Sequence, residues 1–237
     1  MSKRIDIQTE PVDFTLLIYG EMNSGKSWSL GGLPMEKTAL LSLEAKPPGF
    51  NNWKKIGAYY KPADEAEFNE AVKECVLDDK IEFIVIDSLT MLADNIVYTK
   101  CIENAPLTKS GEPDTMRGWQ LYKRWLINMI QKCKNSKKTF IFTALETELY
   151  DKQDMKTVLV PKVQGSFKSE VVSHFTHVMH TNIEEVKETK SLRYVFNTRR
   201  VYDCNYQART PILADKLPDV IDNDIMAYID AIRTYNK

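Results

Sequence analysis

The stretch Gly20-Glu21-Met22-Asn23-Ser24-Gly25-Lys26-Ser27 constrains this chain more than any other feature. It fits the pattern Gly-x-x-x-x-Gly-Lys-Ser/Thr completely, and its flanks are the ones the pattern requires. Before it, Phe14–Tyr19 (FTLLIY) is a continuous apolar run that predicts a buried strand. After it a short helix is expected, stopping at Gly31-Gly32-Leu33-Pro34. In such a strand–loop–helix unit the glycines permit backbone angles that turn successive N–H groups onto phosphate oxygens. The new helix adds the positive end of its dipole. The pattern therefore assigns Gly20, Glu21, Met22, Asn23, Ser24, Gly25, Lys26, Ser27 and the adjoining Trp28 to a nucleotide. Lys26 reaches the β- and γ-phosphates and the Ser27 hydroxyl ligates the metal. The expected ligands are ATP and Mg²⁺.

A buried strand feeding such a loop implies an α/β chain. Thr38–Leu43, Ile81–Ile86 and Thr139–Leu145 read as further buried strands. Ala63–Val76, Ser88 to about Thr99, and Met116–Cys133 read as helices between them. That alternation predicts a mainly parallel sheet flanked by helices on both faces. Thr157–Val160, His177–Asn182 and Leu192–Asn197 are shorter and more polar, which predicts hairpins or an antiparallel C-terminal edge. Val220–Tyr235 reads as a closing amphipathic helix, and Asn104–Thr115 and Thr147 to about Ser166 as long irregular loops. Nothing in the composition breaks residues 1–237 into more than a single domain.

With 43% apolar and 27% charged residues, the chain has enough apolar surface for a full core. A net charge of -1 argues against a bulk polyanion binder, though a local basic groove remains open. The four cysteines, Cys75, Cys101, Cys133 and Cys204, are widely separated and read as reduced structural thiols. The chain has no signal-peptide layout and no run long enough for a membrane span, so the expectation is a soluble, cytoplasmic protein with no membrane partner. His174, His177 and His180 are spaced by three, but a helix ending before a strand would scatter them. Lys132, Lys134, Lys137 and Lys138 lie where cations favour a helix C-terminus.

A phosphate loop needs a metal-holding carboxylate at the end of a neighbouring strand. Asp87 ends IEFIVI and is assigned that place, holding Mg²⁺ directly or through water. The next residue is Ser88, so a water-activating acid must come from elsewhere. Glu44 follows TALLSL, the first strand after the phosphate loop, at the edge of the sheet where ligands of open α/β folds sit. Glu44 is therefore expected to orient the attacking water, alongside Lys26 as the second catalytic residue.

GEMNSGKS, then LSLEAK, then FIVIDSLT together resemble the RecA-like P-loop NTPase core. More narrowly, the chain resembles the short phage-encoded Sak-type single-strand annealing ATPases. The short phosphate-loop helix, the segment PKVQGSFKSEVVSHFTHVMHT and the late Arg209-Thr210-Pro211 carry that resemblance. It implies a Mg-dependent ATPase acting in DNA recombination or single-strand annealing in a host cytoplasm. It also implies binding to single-stranded DNA, a homo-oligomer, and partnership with a single-strand-binding protein.

In RecA-like proteins a polar residue near the end of the fourth strand senses the γ-phosphate, and here Thr143 or Glu146 stands there. A neighbouring subunit completes the site with a basic residue, for which Arg199, Arg200 and Arg209 are the late candidates. The DNA loops of the resemblance map to Asn104–Arg117, with Lys109 and Arg117, and to Thr147–Lys168. The second stretch holds Lys152, Lys156, Lys162 and Lys168, with Tyr150 and Phe167 as stacking rings. Acids are interleaved in both stretches, so plain surface loops are the alternative reading. Three other functions stay open: a nucleotide switch or assembly protein, a small-molecule kinase, and an AAA+ helicase loader, the last disfavoured by Ser88 after Asp87.

Overall fold

The computed structural model describes residues 14–151, 155–186 and 189–235. The sheet opens with β1 (Thr15–Gly20), followed by the four-residue helix α1 (Lys26–Ser29). Then come β2 (Thr38–Ser42), the short β3 (Ala58–Tyr60), α2 (Glu65–Leu77) and β4 (Phe83–Asp87). A helical segment opens as α3 (Leu89–Met91) and continues in wider turns to Glu103. After it lie α4 (Thr115–Lys134), β5 (Thr139–Asp151), β6 (Lys156–Pro161), β7 (His177–Val186), β8 (Ser191–Asn197), β9 (Val220–Asp222) and α5 (Ile225–Tyr235).

The strand order is β3-β2-β4-β5-β1-β7-β8-β9, with β6 paired to β5. From β3 through β7 every neighbouring pair is parallel, and β8 and β9 add an antiparallel edge. This is the helix-flanked, mainly parallel sheet with an antiparallel C-terminal edge that the sequence predicts.

Side-chain alternation on the central strands divides the core in two. On β1, Leu17 and Tyr19 join Phe68, Tyr122 and Leu126 of α2 and α4 on one face. Leu16 and Ile18 join Ile225, Tyr228, Ile229 and Ile232 of α5 on the other. The apolar positions of both helices recur at three or four residues, which is why each can cover one face. Asp64 caps α2 by accepting from the Glu67 N–H at 2.9 Å, and Asp114 caps α4 from Arg117 at 3.0 Å. Among the described residues no helix is long and apolar enough to cross a membrane.

Four expectations change. The stretch from Thr147 is not an irregular loop: β5 overruns the sheet and folds back as a hairpin with β6, from Glu146↔Pro161 to Asp151↔Lys156. Its alternating residues, with Val158 and Val160 buried, form the ladder once a partner strand is supplied. The closing helix begins later than Val220. Val220–Asp222 pairs with β8, and Asp224 starts the helix by accepting from the N–H groups of Met226 (2.9 Å) and Ala227 (3.1 Å). The edge strand β3 was not anticipated, since three half-covered residues leave no periodic signal. Phe167 belongs to the core and is not an exposed stacking ring.

The histidines are separated as expected: His174 sits in a one-turn helix, and His177 and His180 lie on β7, three residues apart and hence on opposite faces. All four cysteines are free thiols, with Cys75, Cys101 and Cys133 in the core.

Candidate functional site

The site forms over the C-terminal ends of β1, β2 and β4, where loops replace the paired backbone. β1 delivers Gly20 into close contact with β7: a Cβ placed there would come within 2.1 Å of the Thr181 hydroxyl oxygen. No other residue fits that approach. Gly25 has φ +92, in the region where side chains are strained, and its backbone starts α1. The loop between them is pinned by Ser24, whose hydroxyl donates to the Glu21 carbonyl at 2.7 Å and pairs with Thr181. Glu21 contributes its backbone, Met22 and Asn23 line the cavity, and Asn23 also takes a positive φ.

Lys26 is only 8% exposed, and its ammonium donates to the carbonyls of Gly20 (3.0 Å) and Glu21 (2.5 Å). Burial pushes its pKa down to about 8, opposed by the nearby carboxylates of Glu146, Asp87 and Glu44. A polyanion in the loop would restore a counter-charge and raise that value, so binding takes up a proton wherever free Lys26 is neutral. Triphosphate affinity is therefore predicted to be flat below pH 8 and to fall by up to about tenfold per unit above it. Titrations between about pH 7 and 9.5 check this, and Lys26→Arg, whose guanidinium stays charged, should flatten the slope. An affinity of the unmodified chain that is level across the range would show that Lys26 remains an ammonium.

β4 brings Asp87 to the same edge, in register with Ser42 of β2. The Asp87–Ser88 peptide is cis. One Asp87 oxygen accepts from the Ser27 hydroxyl at 3.3 Å and the other from the buried Thr143 hydroxyl. Burial raises the Asp87 pKa, the two hydroxyl bonds lower it, and Glu44 adds to the rise. A desolvated carboxylate beside a second carboxylate and a serine hydroxyl is a set of hard oxygen donors that suits a small divalent cation. Ser27 and Asp87 are the residues that would hold Mg²⁺, whose charge would offset both acids. Ser88 turns away: its hydroxyl accepts from the Met91 N–H at 3.3 Å and caps α3.

Glu44 lies two residues past β2, with 26% of its side chain exposed and Lys46 paired to it at 3.1 Å. Lys26, Ser27, Glu44 and Asp87 line one cavity of about 430 Å³, closed on other sides by Trp28, Pro47, Gly49 and Tyr194. Residues from three separate stretches, the phosphate loop, the segment after β2 and the end of β4, thus line one cavity.

The other assigned residues do not line this cavity. Thr143 is engaged by Asp87. Glu146 accepts from or pairs with His180 Nε2 at 2.8 Å, at the root of the β5–β6 hairpin. Arg199 donates to the carbonyls of Ile212 (3.2 Å) and Leu217 (2.8 Å) and pairs with Asp219 at 3.0 Å, which ties it into its own chain. Arg200 follows the far end of β8, and Arg209 bridges Val178 lower on β7; both are exposed and neither lines the phosphate-loop cavity of this chain. Lys109, Arg117 and Lys162 are exposed, Lys168 is half-buried, Lys156 lies on β6, and Lys152 lies outside the described residues.

Sequence reasoning missed Thr181, Ser42, Tyr194 and the Glu146–His180 pair. Each reaches the site only through strand register, which leaves no mark in a single segment.

A family model described as "AAA domain" matches residues 13–210. No curated protein matches the chain in sequence. Among solved structures, a KaiC-like protein of the hyperthermophilic archaeon Pyrococcus horikoshii superposes with a TM-score of 0.47 at 15% identity, over 82% of this chain and 82% of that one.

Proposed function

Because this chain belongs to the AAA domain family, we propose that it is a Mg²⁺-dependent ATPase whose nucleotide state is coupled to single-stranded DNA. The observation that carries the enzymatic part is the convergence of Lys26, Ser27, Asp87 and Glu44 on one cavity at the C-terminal edge of the parallel strands. In this reading Lys26 binds the terminal phosphates and neutralises charge that develops on them. Glu44 accepts a proton from, and aims, the water that attacks the γ-phosphorus. Mg²⁺, held by Ser27 and Asp87, would supply electrostatic stabilisation of the phosphate oxygens. Thr143 keeps the Asp87 carboxylate oriented.

The DNA part rests on the β5–β6 hairpin. It leaves the sheet immediately beyond the site, at Glu146, and carries Tyr150, 56% exposed, with Lys156 on its return strand. An exposed ring with one lysine diagonal to it across the hairpin, and Glu148 and Asp151 on its own strand, suits stacking on an unpaired base more than tight phosphate contact. Lys109, Arg117, Lys162 and Lys168 extend the basic surface in this reading. A homo-oligomer in which Arg200 or Arg209 reaches a neighbour's phosphates, recombination or annealing as the process, and a single-strand-binding protein as partner belong to the same proposal.

Steady-state ATP hydrolysis measured with and without single-stranded DNA tests it. Stimulation by DNA is the expected result, with the DNA concentration needed for half-maximal stimulation raised roughly 5- to 150-fold in Tyr150→Ala, the equivalent of the ~1–3 kcal/mol that base–aromatic stacking contributes to binding. Hydrolysis indifferent to DNA removes the DNA coupling and leaves the ATPase. One observation favours a slower nucleotide switch: both sensor candidates, Thr143 and Glu146, already have partners within the chain. Tight ATP binding with negligible turnover in the same assay would establish that reading.

A further inference from the structure

The phosphate end of the cavity is accounted for by Lys26, Ser27, Asp87 and Glu44, but the cavity also reaches Tyr194 and Trp28. These two large rings are 41% and 59% exposed, so much of each is open to contact at the cavity. Their position follows from topology. The strands bearing Asp87 and Glu44 lie on one side of β1, beyond β5, whereas β7, β8 and β9 lie on the other. A triphosphate with its terminal phosphate toward Asp87 and Glu44 therefore directs its nucleoside toward β8.

Tyr194 is opposite Ile183 in the β7–β8 ladder, three residues beyond the His180 that pairs with Tyr19 of β1. It thus stands past the end of the phosphate-loop strand and overhangs the loop. A Cβ placed on Gly25 would come within 3.2 Å of the Tyr194 ring and 2.9 Å of the Asn223 amide nitrogen. Asn223 is attached to the same spot, since its backbone N–H donates to the Tyr194 carbonyl at 3.1 Å. Both side-chain amide atoms of Asn223 are enclosed and have no hydrogen-bond partner among the described residues. An amide carries two N–H donors and a carbonyl acceptor, so leaving it enclosed and unpaired beside the ring is costly.

We propose that Tyr194 is the platform on which the base of the bound nucleotide stacks, with Trp28 lining the same subsite. The inference rests on the nucleotide reading above and adds to it the part of the ligand that the phosphate loop does not recognise. Aromatic rings stack on any base through its π-face.

Titration calorimetry with ATP and with inorganic tripolyphosphate, both with Mg²⁺, separates the two parts of the ligand. Tyr194→Ala is expected to weaken ATP by about 10- to 100-fold and to leave tripolyphosphate unchanged. Tyr194→Phe, which keeps the ring, is expected to recover ATP affinity, and unchanged tripolyphosphate binding by the alanine variant shows that its loss of ATP is not a folding defect. Equal weakening of both ligands in Tyr194→Ala would mean that the ring only supports Gly25, and no change in either would mean that the base lies elsewhere. Both results overturn the inference. Tripolyphosphate bound by the unmodified chain as tightly as ATP would also overturn it while sparing the phosphate-loop reading. Binding of neither ligand would remove the nucleotide reading, and this inference with it.

Discussion

Glu44→Gln is expected to lower ATP turnover by about 10²- to 10⁴-fold while changing ATP affinity by less than about threefold, the range that loss of a positioned general base produces. The amide keeps the size of the carboxylate and its place beside Lys46, so the loop after β2 has no reason to move. What it loses is the ability to accept a proton from water. Because Glu44 also raises the Asp87 pKa, the substitution should leave Asp87 a better-ionised metal ligand, which argues against a binding defect. Single-turnover hydrolysis and equilibrium ATP binding, measured on the same preparation, decide the matter. Turnover that survives unchanged would take the water-orienting role away from Glu44. Joint loss of binding and turnover would make it a structural residue of the cavity wall.

The second large effect is at Lys26. Removing one partner of a buried, hydrogen-bonded charge pair costs about 2–5 kcal/mol. Lys26→Ala is thus expected to weaken ATP by roughly 30-fold to several thousand-fold. The free protein should fare better than the complex. In the absence of ligand the ammonium is buried against two carbonyls and its charged form is already disfavoured, as its lowered pKa of about 8 records. Thermal unfolding with and without saturating ATP separates these effects. The unmodified chain gains stability from a ligand that binds only the folded state. Lys26→Ala should lose that gain while its ligand-free midpoint moves by only a few degrees. A large fall in the ligand-free midpoint would show that Lys26 chiefly holds the loop together, and retained ATP stabilisation would remove it from the phosphate site.

Some of this was legible without coordinates because it depends on neighbours in the chain. The run FTLLIY, the glycines at 20 and 25 and the Lys26-Ser27 pair specify strand, loop and helix start within a dozen residues. Leu126, Met129, Ile130 and Cys133 mark α4 by period alone. Asp87 and Glu44 could be placed at the sheet edge because strands that are apolar throughout lie parallel in a covered sheet. Their C-terminal ends then share one edge, so the residue that ends each strand has a known place.

Reading by segment failed where an element owed its form to a distant partner. The β5–β6 hairpin needed a second strand before its alternation meant anything, and β9 looked like a helical turn until β8 supplied its hydrogen bonds. Arg199 shows the same limit from the other side: a late arginine in a polar stretch looks free until the Ile212 and Leu217 carbonyls and Asp219 close around it.

Local backbone requirements and burial alone are enough to specify a phosphate loop on a buried strand, with a carboxylate at the end of a parallel neighbour. That Thr181 packs on Gly20, that Thr143 orients Asp87, that His180 pairs with Glu146 and that Tyr194 stands over Gly25 follows from the folded sheet. Each of these pairings joins residues dozens to more than a hundred and fifty positions apart. Strand order and register, which depend on how the whole sheet packs, bring them together.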